Sequence, residues 1–369
     1  IYFKYAKLLI NILTIGTQIL IKISEISKLP CAKIYIQTPK IWQIILYYIF
    51  IFIFKYFILL YNTNKNTATQ LRVKNLIALI KYKFKINKNK NINIVAMLVC
   101  ITIIFNFYLF PRKIKIYFVD VGQGDCTFIT TPQNKTILID GGGSELGNYD
   151  VGKNVLLPYL LDRGYTKIDL VIISHFDSDH VKGLLTIINE FKIKKVIIAK
   201  QTEKSKNYEE LLKIANEKTI NISEVKKGDK INIEKGIYID ILWPKKDQIE
   251  INAMNNNSIV MKFVYNNFSM LFTGDIEEIA EKEIVKLYKN TKKLKSNVIK
   301  IAHHGSKTSS SENFLNEVKP QIALIGVGKN NKFGHPNQKT LDNLKNINCV
   351  VYRTDECGEI ELSRILNLK

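Results

Sequence analysis

Acidic residues are almost absent from the first third of the chain. Residues 1–110 contain one carboxylate, Glu25, against fifteen lysines and arginines, whereas residues 111–369 contain 32 acidic and 39 basic side chains. The net charge of +21 therefore divides into +14 and +7, which indicates two parts of different kind. Because Lys, Asn and Ile are abundant throughout, we attribute part of the charge to codon bias and discount it as a binding signal. The charge permits a polyanionic partner but does not by itself indicate one.

Cysteine, histidine and an initiator methionine are also scarce or missing. The five cysteines contain no C-x-x-C pair, which argues against a cysteine zinc site. Cys349 and Cys357 are predicted to be free thiols, with a hairpin disulfide as the alternative. The chain starts at Ile1 within an amphipathic run, so we expect it to be the C-terminal part of a longer protein, and no signal peptide is visible.

The first 110 residues are predicted to be a membrane region. The run 41–61 contains one charge, Lys55, and matches the thickness of the hydrocarbon core, and a second span is predicted over 92–110. Residues 8–26 have helical spacing with polar interruptions, which predicts an interfacial helix, a helix that lines a polar cavity, or an amphipathic helix packed on other parts of the protein.

The loop between the two spans decides the predicted topology. Residues 63–91 contain eight lysines and arginines and no acid, so the positive-inside rule places this loop in the cytoplasm. If both spans insert, the domain at 111–369 lies outside the cytoplasmic membrane. The prediction is therefore a multi-pass membrane protein with an extracellular C-terminal domain.

Beyond Lys113 the pattern changes to short strands, glycine turns and intervening helices. This pattern predicts an α/β domain of four layers, with helices covering two sheets. Strands are predicted at 168–173, 195–199, 268–272, 298–301 and 322–327, and most of them end at a polar turn. A helix is predicted to follow the first of these turns and to end near Phe191.

The turn at 174–180, Ser-His-Phe-Asp-Ser-Asp-His, is the strongest candidate site. His175 and Asp177 alternate in extended backbone and can face one centre, while Asp179 and His180 begin the next helix and can face a second. Two metal ions suit phosphoryl displacement, and Asp275, at the end of a predicted strand, suits a bridging ligand. A lone His or Asp at a strand end is more often a turn residue, but this compact pattern favours metal.

Other polar turns are less specific on their own. The pair His303-His304 is equally consistent with a site or a turn, and the Gly-His335-Pro segment alone favours a turn. The segment 120–125 lacks the spacing of a phosphate-binding loop, so its glycines are expected to permit a tight connection below the metal site. Asp125 or Asp140 is expected to orient ligand histidines. Residues 308–311 are predicted to cap a helix, with phosphate binding as the alternative.

Taken together, these motifs resemble the metallo-β-lactamase superfamily. The segments 120–125 and 300–310, behind membrane spans, are similar to the C-terminal part of ComEC-type competence proteins, and this resemblance covers essentially the whole chain. It implies a metallo-β-lactamase-like domain preceded by transmembrane helices, with DNA and other competence proteins as partners. The implied function is DNA uptake during natural transformation, with an external nuclease that degrades the strand that is not transported.

The resemblance also implies roles for individual residues. Two divalent metal ions, Mn²⁺ or Zn²⁺, are expected as cofactors, one held by His175 and Asp177. The resemblance assigns the other ion to Asp179, His180 and His335, with Asp275 as the bridge. His303 or His304 is expected to contact the scissile phosphate, so that Asp179, His303 and His304 are the candidate catalytic residues.

The pattern departs from the superfamily at the first metal site. No histidine lies between His180 and Asp275, and Asp177 stands where a histidine is commoner. Asn257 or water could complete the site, and its oxygen-rich ligands favour Mn²⁺ over Zn²⁺. A metal-free domain is the alternative. The competing functions are hydrolysis of a cell-wall or teichoic-acid phosphodiester and a non-catalytic DNA-binding platform that feeds the channel.

Overall fold

The computed structural model describes residues 14, 16–18, 21–22, 38–39, 41–62, 113–144, 149–201 and 205–366. The chain divides into two compact units, residues 1–38 with 159–166, and residues 39–158 with 167–369. In the first unit the described residues 14, 16–18 and 21–22 are helical, and the rest of the predicted helix 8–26 lies outside the described residues. Except for residues 159–162 of one helix, all features below belong to the second unit.

Helix α1 (Ile41–Asn62) contains 22 residues and coincides with the first predicted span. Among the described residues, however, no helix meets both the length and the apolarity required to cross a membrane. The second predicted span, 92–110, and the basic loop 63–91 lie outside the described residues. Membrane insertion therefore stays a prediction.

Strands from Lys115 onward form the framework of the domain. In the first half of the domain they are β1 (Lys115–Phe118), β2 (Thr127–Thr130), β3 (Thr136–Ile139), β4 (Lys167–Ile168), β5 (Leu170–Ile172), β6 (Lys192–Ile193), β7 (Lys195–Ala199) and β8 (Asn221–Val225). In the second half they are β9 (Lys230–Glu234), β10 (Ile237–Trp243), β11 (Val260–Tyr265), β12 (Phe268–Phe272), β13 (Val298–Lys300), β14 (Ile322–Ile325), β15 (Val350–Arg353) and β16 (Ile360–Glu361).

The helices of the domain lie between these strands. They are α2 (Leu157–Asp162), which follows a π-helical turn at Gly152–Leu156, α3 (Ser178–Glu190), α4 (Lys206–Glu217), α5 (Ala253–Asn256), α6 (Glu278–Tyr288), α7 (Glu312–Val318), α8 (Gln338–Asn346), α9 (Thr354–Cys357) and α10 (Leu362–Ile365). A 3₁₀ turn spans Ala302–Gly305.

Two seven-stranded sheets form the core. Their strand orders are β16-β1-β2-β3-β5-β7-β8 and β15-β14-β13-β12-β11-β10-β9, and β4 pairs with β6 separately. In each sheet antiparallel strands give way to parallel ones, at β3–β5 and at β12–β13. The last strand, β16, pairs with β1, so the C-terminal end of the domain closes the edge of the first sheet.

Apolar residues from both sheets meet in one buried cluster, which includes Ile129, Ile172, Phe263, Met270 and Val298. The opposite face of the second sheet packs on α6, α7 and α8, whose side chains join those of its strands in a second cluster. Every residue of β2 and β3 is buried, so the first sheet is also covered on both faces. The predicted α/β fold is confirmed, with helices outside a double-sheet core.

Cys126, Cys349 and Cys357 are free thiols, so the predicted absence of a hairpin disulfide is confirmed. Cys31 and Cys100 lie outside the described residues.

Candidate metal centre

The metal turn begins where β5 ends. The backbone N–H of Ser174 donates to Asp140 Oδ1 at 2.8 Å, and α3 starts at Ser178 after Asp177 in extended conformation. Asp177 makes no capping hydrogen bond, so its carboxylate is not used by the helix. Its Oδ2 lies 3.5 Å from His175 Nε2, and the structure therefore pairs the two residues assigned to the first metal.

Four buried side chains, Asp125, His180, Asp275 and His304, offer ligand atoms that all lie within 4.8 Å of one another. His180 Nε2 is 3.1 Å from Asp275 Oδ1 and 3.2 Å from His304 Nε2. Asp275 Oδ2 is 3.4 Å from His304 Nε2. We call these four residues the ligand cluster.

Asp179 joins the cluster from its more exposed side. Its Oδ2 lies 3.1 Å from His304 Nε2, and its side chain is about a quarter exposed. The first turn of α3 thus directs Asp179 and His180 to the same place, as predicted, while His175 packs with its ring centroid 4.1 Å from that of His180.

The backbone at the histidine pair is unusual. His303 and His304 both have left-handed backbone conformations, with φ of 51° and 52°. Such a conformation is unfavourable for residues other than glycine and is concentrated at functional sites. Its effect here is to separate the two side chains: His304 is buried, whereas His303 is 24% exposed and has Nδ1 3.8 Å from Glu277 Oε1.

His335 lies beside the histidine pair rather than within the ligand cluster. Its ring centroid is 5.7 Å from that of His303 and 6.4 Å from that of His304. Asn331 accepts a hydrogen bond from the backbone N–H of His335 at 3.0 Å, and this bond fixes the turn. The buried His335 Nδ1 has no hydrogen-bond partner among the described residues, so it is available to bind a ligand.

Hydrogen bonds orient the two buried imidazoles of the cluster. His180 Nδ1 lies 3.0 Å from Asp140 Oδ2, the contact expected of a carboxylate that orients a histidine. His304 Nδ1 lies 2.8 Å from the carbonyl oxygen of Gly326. Since that carbonyl can only accept, Nδ1 carries the proton, and Nε2 of His304 faces the carboxylates.

Charges within the cluster shift several pKa values. Burial alone lowers the pKa of His180 and of His304, but the facing carboxylates, Asp275 foremost, outweigh it. The pKa of His180 is raised well above its ordinary value, and that of His304 to about 10. Burial raises the pKa of Asp275, but His180 and Lys300 hold it well below its usual range. Burial likewise raises the pKa of Asp179, which the hydrogen bond from His304 lowers below its ordinary value.

The pKa of His335 is lowered, whereas those of His180 and His304 are raised. Burial and the neighbouring imidazole of His304 lower the pKa of His335 to about 4. Burial also lowers the pKa of His303. Both side chains are therefore neutral near pH 7, the form in which imidazole binds a metal.

Two members of the site were not predicted as such. Asp125 was expected only to orient histidines, and Lys300 was assigned no role, yet both are buried within the cluster and form an ion pair. The glycine before Asp125 explains the turn: a Cβ on Gly124, whose φ is 126°, would overlap the carbonyl oxygen of Asp179. The expectation of a tight connection below the site is thus confirmed.

One predicted substitute for the missing histidine is wrong. Asn257 uses its whole side-chain amide on backbone groups, accepting from Ile249 N at 2.9 Å and donating to Ile249 O and Ala253 O at 2.7 Å each. It is therefore not available as a ligand.

The donor set fits a divalent metal. Carboxylates and imidazoles converge in a buried place, and His175 Nε2 is buried without a hydrogen-bond partner among the described residues. Buried polar atoms normally have such partners, and their absence is explained by a cation.

Residues 119–329 match the family described as the metallo-beta-lactamase superfamily. The chain is 32% identical over 277 residues to ComE operon protein 3 of Bacillus subtilis, covering 71% of this chain and 35% of that protein. It is 29% identical over 266 residues to Recombination protein 2 of Haemophilus influenzae, covering 72% of this chain and 31% of that protein. With Competence protein ComA of Neisseria gonorrhoeae the identity is 29%, over 66% of this chain and 31% of that protein.

These relatives confirm the resemblance to ComEC-type competence proteins. The chain spans about a third of the length of each of them.

Proposed function

Because this chain belongs to the metallo-beta-lactamase superfamily, we propose that it contributes to DNA uptake during natural transformation, with residues 111–369 acting as a metal-dependent phosphodiesterase. Its substrate is the DNA strand that is not transported. A role in competence is supported by the relatives in H. influenzae and N. gonorrhoeae, which are named as recombination and competence proteins.

The proposed location is the bacterial cytoplasmic membrane, with residues 1–110 as the membrane region and the phosphodiesterase domain outside. Spans at 41–61 and 92–110 and a cytoplasmic loop at 63–91 give this topology. The apolar side chains of α1 support it, since Ile41 and Phe52 are each 76% exposed and require an apolar environment. DNA, the membrane and other competence proteins are the proposed partners.

The convergence of Asp179, His180, Asp275 and His304 at one buried place is the observation that carries the enzymatic proposal. We assign His175 and Asp177 to one metal, Asp179, His180 and His335 to the other, and Asp275 to the bridge. Divalent ions bound here supply Lewis-acid activation of the phosphodiester. The protein's own contribution is to fix the imidazoles through Asp140 and Gly326 and to exclude bulk water.

The two histidines of the pair have different proposed tasks. His304 is buried with Nε2 directed at the carboxylates, so it acts within the cluster. His303 is the partly exposed one, and a phosphate approaching from solvent reaches it first. We therefore assign contact with the scissile phosphate to His303 and stabilisation of the adjacent carboxylates to His304.

Cleavage of labelled DNA by the purified full chain in detergent, with Mn²⁺ or Zn²⁺, tests the proposal. Asp179→Ala is expected to lower the cleavage rate at least 100-fold. Asp342→Ala, which alters an exposed carboxylate of α8 bonded to Gln338, is the matched control and is expected to leave the rate unchanged.

Two results would contradict this function. Binding of DNA without cleavage in the presence of any divalent ion would indicate a non-catalytic platform. Hydrolysis of a teichoic-acid phosphodiester in preference to DNA would indicate a cell-wall hydrolase.

A further inference from the structure

A buried ammonium group lies inside the ligand cluster. Lys300 is the last residue of β13, and its side chain is 3% exposed. Its Nζ forms an ion pair with Asp125 Oδ2, lies 3.1 Å from Asp275 Oδ1 and donates to the carbonyl oxygen of Gly274 at 2.8 Å. An ammonium has three hydrogens, so these three oxygens use all of its donors.

Lys300 and a metal ion would use the same oxygens. Asp125 and Asp275 are the two carboxylates of the ligand cluster, and Asp275 Oδ1 also faces His180 Nε2 at 3.1 Å. Beyond its ion pairs, neither oxygen of Asp125 has a hydrogen-bond partner among the described residues. A cation that uses Asp275 as a ligand therefore has to approach the ammonium closely.

Two positive charges so near each other repel strongly at a buried site, where screening by water and salt is weak. The ammonium is covalently attached, so its concentration at the carboxylates is fixed, whereas a metal ion must bind from solution. The ammonium of Lys300 thus already lies at the side of the cluster formed by Asp125 and Asp275.

We propose that Lys300 is an intramolecular cation that competes with metal for the carboxylates of Asp125 and Asp275. It weakens binding of one ion and so makes the two metal sites unequal in affinity. This inference rests on the proposed metal centre and adds to it the residue that regulates its occupancy. A lysine that merely holds the carboxylates in place for the metal predicts the opposite sign, because its removal would then weaken binding.

Titration of the metal-free full chain in detergent with Mn²⁺ measures this competition, through calorimetry and through the electron paramagnetic resonance signal of free Mn²⁺. For the wild type we expect two classes of site with dissociation constants that differ at least tenfold. Lys300→Met is expected to tighten the weaker class at least tenfold. Unchanged or weaker Mn²⁺ binding by Lys300→Met would overturn the inference.

Lys262→Met is the matched control. The Lys262 ammonium donates to the carbonyl oxygens of Lys293 at 3.1 Å and Lys295 at 2.6 Å, so this variant also removes a partly buried lysine but no charge of the cluster. Its Mn²⁺ affinity is expected to equal that of the wild type. A gain equal to that of Lys300→Met would show that overall charge, and not competition, is responsible, and would also overturn the inference.

Loss of Lys300 removes one counter-ion of two buried carboxylates, which lowers the stability of the metal-free protein. Asp125→Asn combined with Lys300→Met restores the charge balance and is expected to unfold at a higher temperature than Lys300→Met alone. In Lys300→Met, saturating Mn²⁺ is expected to raise the unfolding temperature more than in the wild type, and a smaller rise contradicts competition. If no variant binds Mn²⁺, the metal centre itself fails, which is a distinct result.

Discussion

Glu281 gives a prediction whose magnitude follows from the structure. This residue of α6 is fully buried, and its carboxylate accepts the backbone N–H groups of Ser310 and of Ser311, the latter at 2.8 Å. The two serines end the segment that connects the histidine pair to α7. Glu281→Ala leaves both N–H groups without this partner, at a cost of about 1–3 kcal/mol for the buried Ser310 and of about 1 kcal/mol, the low end of that range, for the partly buried Ser311. We expect a loss of about 2–4 kcal/mol in the free energy of unfolding.

Equilibrium unfolding in urea, followed by fluorescence of the full chain, measures this loss. The control is Glu283→Ala on the same helix, where the carboxylate is partly exposed and pairs with Lys245 at 2.7 Å. An exposed pair contributes at most about 1 kcal/mol. If Glu281→Ala costs no more than Glu283→Ala, the carboxylate does not hold the segment and the reasoning is refuted.

The same residue predicts a pH dependence. Burial raises the pKa of Glu281 above its ordinary value of 4.5, although the N–H groups of Ser311 and Ser310 oppose this. The folded state therefore binds a proton more readily than the unfolded state, and the wild type gains stability as the pH falls from neutral through the raised pKa. This gain in the free energy of unfolding is complete below the pKa that Glu281 has in the unfolded state. Glu281→Ala is expected to show no such gain at low pH.

Three further predictions concern the cluster, the turn and the core. Because the pKa values of His180 and His304 are raised, Mn²⁺ must displace protons from them near pH 7, and its affinity should rise with pH. Calorimetry in buffers of different ionisation enthalpy should detect the release of one to two protons. Release of no proton would contradict the raised pKa values. A Cβ on Gly183 would overlap the carbonyl oxygen of Gly141, so Gly183→Ala should cost about 1–3 kcal/mol and lower the unfolding temperature. Phe263 is fully buried between the sheets, and Phe263→Ala should cost about 3–5 kcal/mol in urea unfolding.

Local elements were predictable because their signals are local. The strand predicted over 195–199 is β7, and the helix predicted to end near Phe191 ends at Glu190. An apolar run, a change of spacing and a glycine turn are each read within a few residues. The compact turn at 174–180 carried its metal-binding signal for the same reason.

The capping prediction shows where local reasoning fails. Ser311 does precede α7 as the predicted cap, but its hydroxyl makes no capping hydrogen bond. The carboxylate of Glu281, about thirty positions earlier in the chain, accepts the N–H groups instead. Thr308, whose hydroxyl was an alternative phosphate ligand, donates to Glu277 Oε1 at 3.0 Å.

The sequence by itself determined the α/β fold class and the metal turn, since both depend on short-range pattern, and the family resemblance added the expectation that Asp275 joins Asp179 and His180. Only the tertiary structure decided which other charges enter the cluster. The parallel register of β12 and β13, which pairs Leu271 with Ile299, brings Lys300 beside the residues that follow β12. A separate strand connection brings Asp125 to the same place. No local pattern encodes such a meeting, because burial of a charge depends on the partners that other parts of the chain supply.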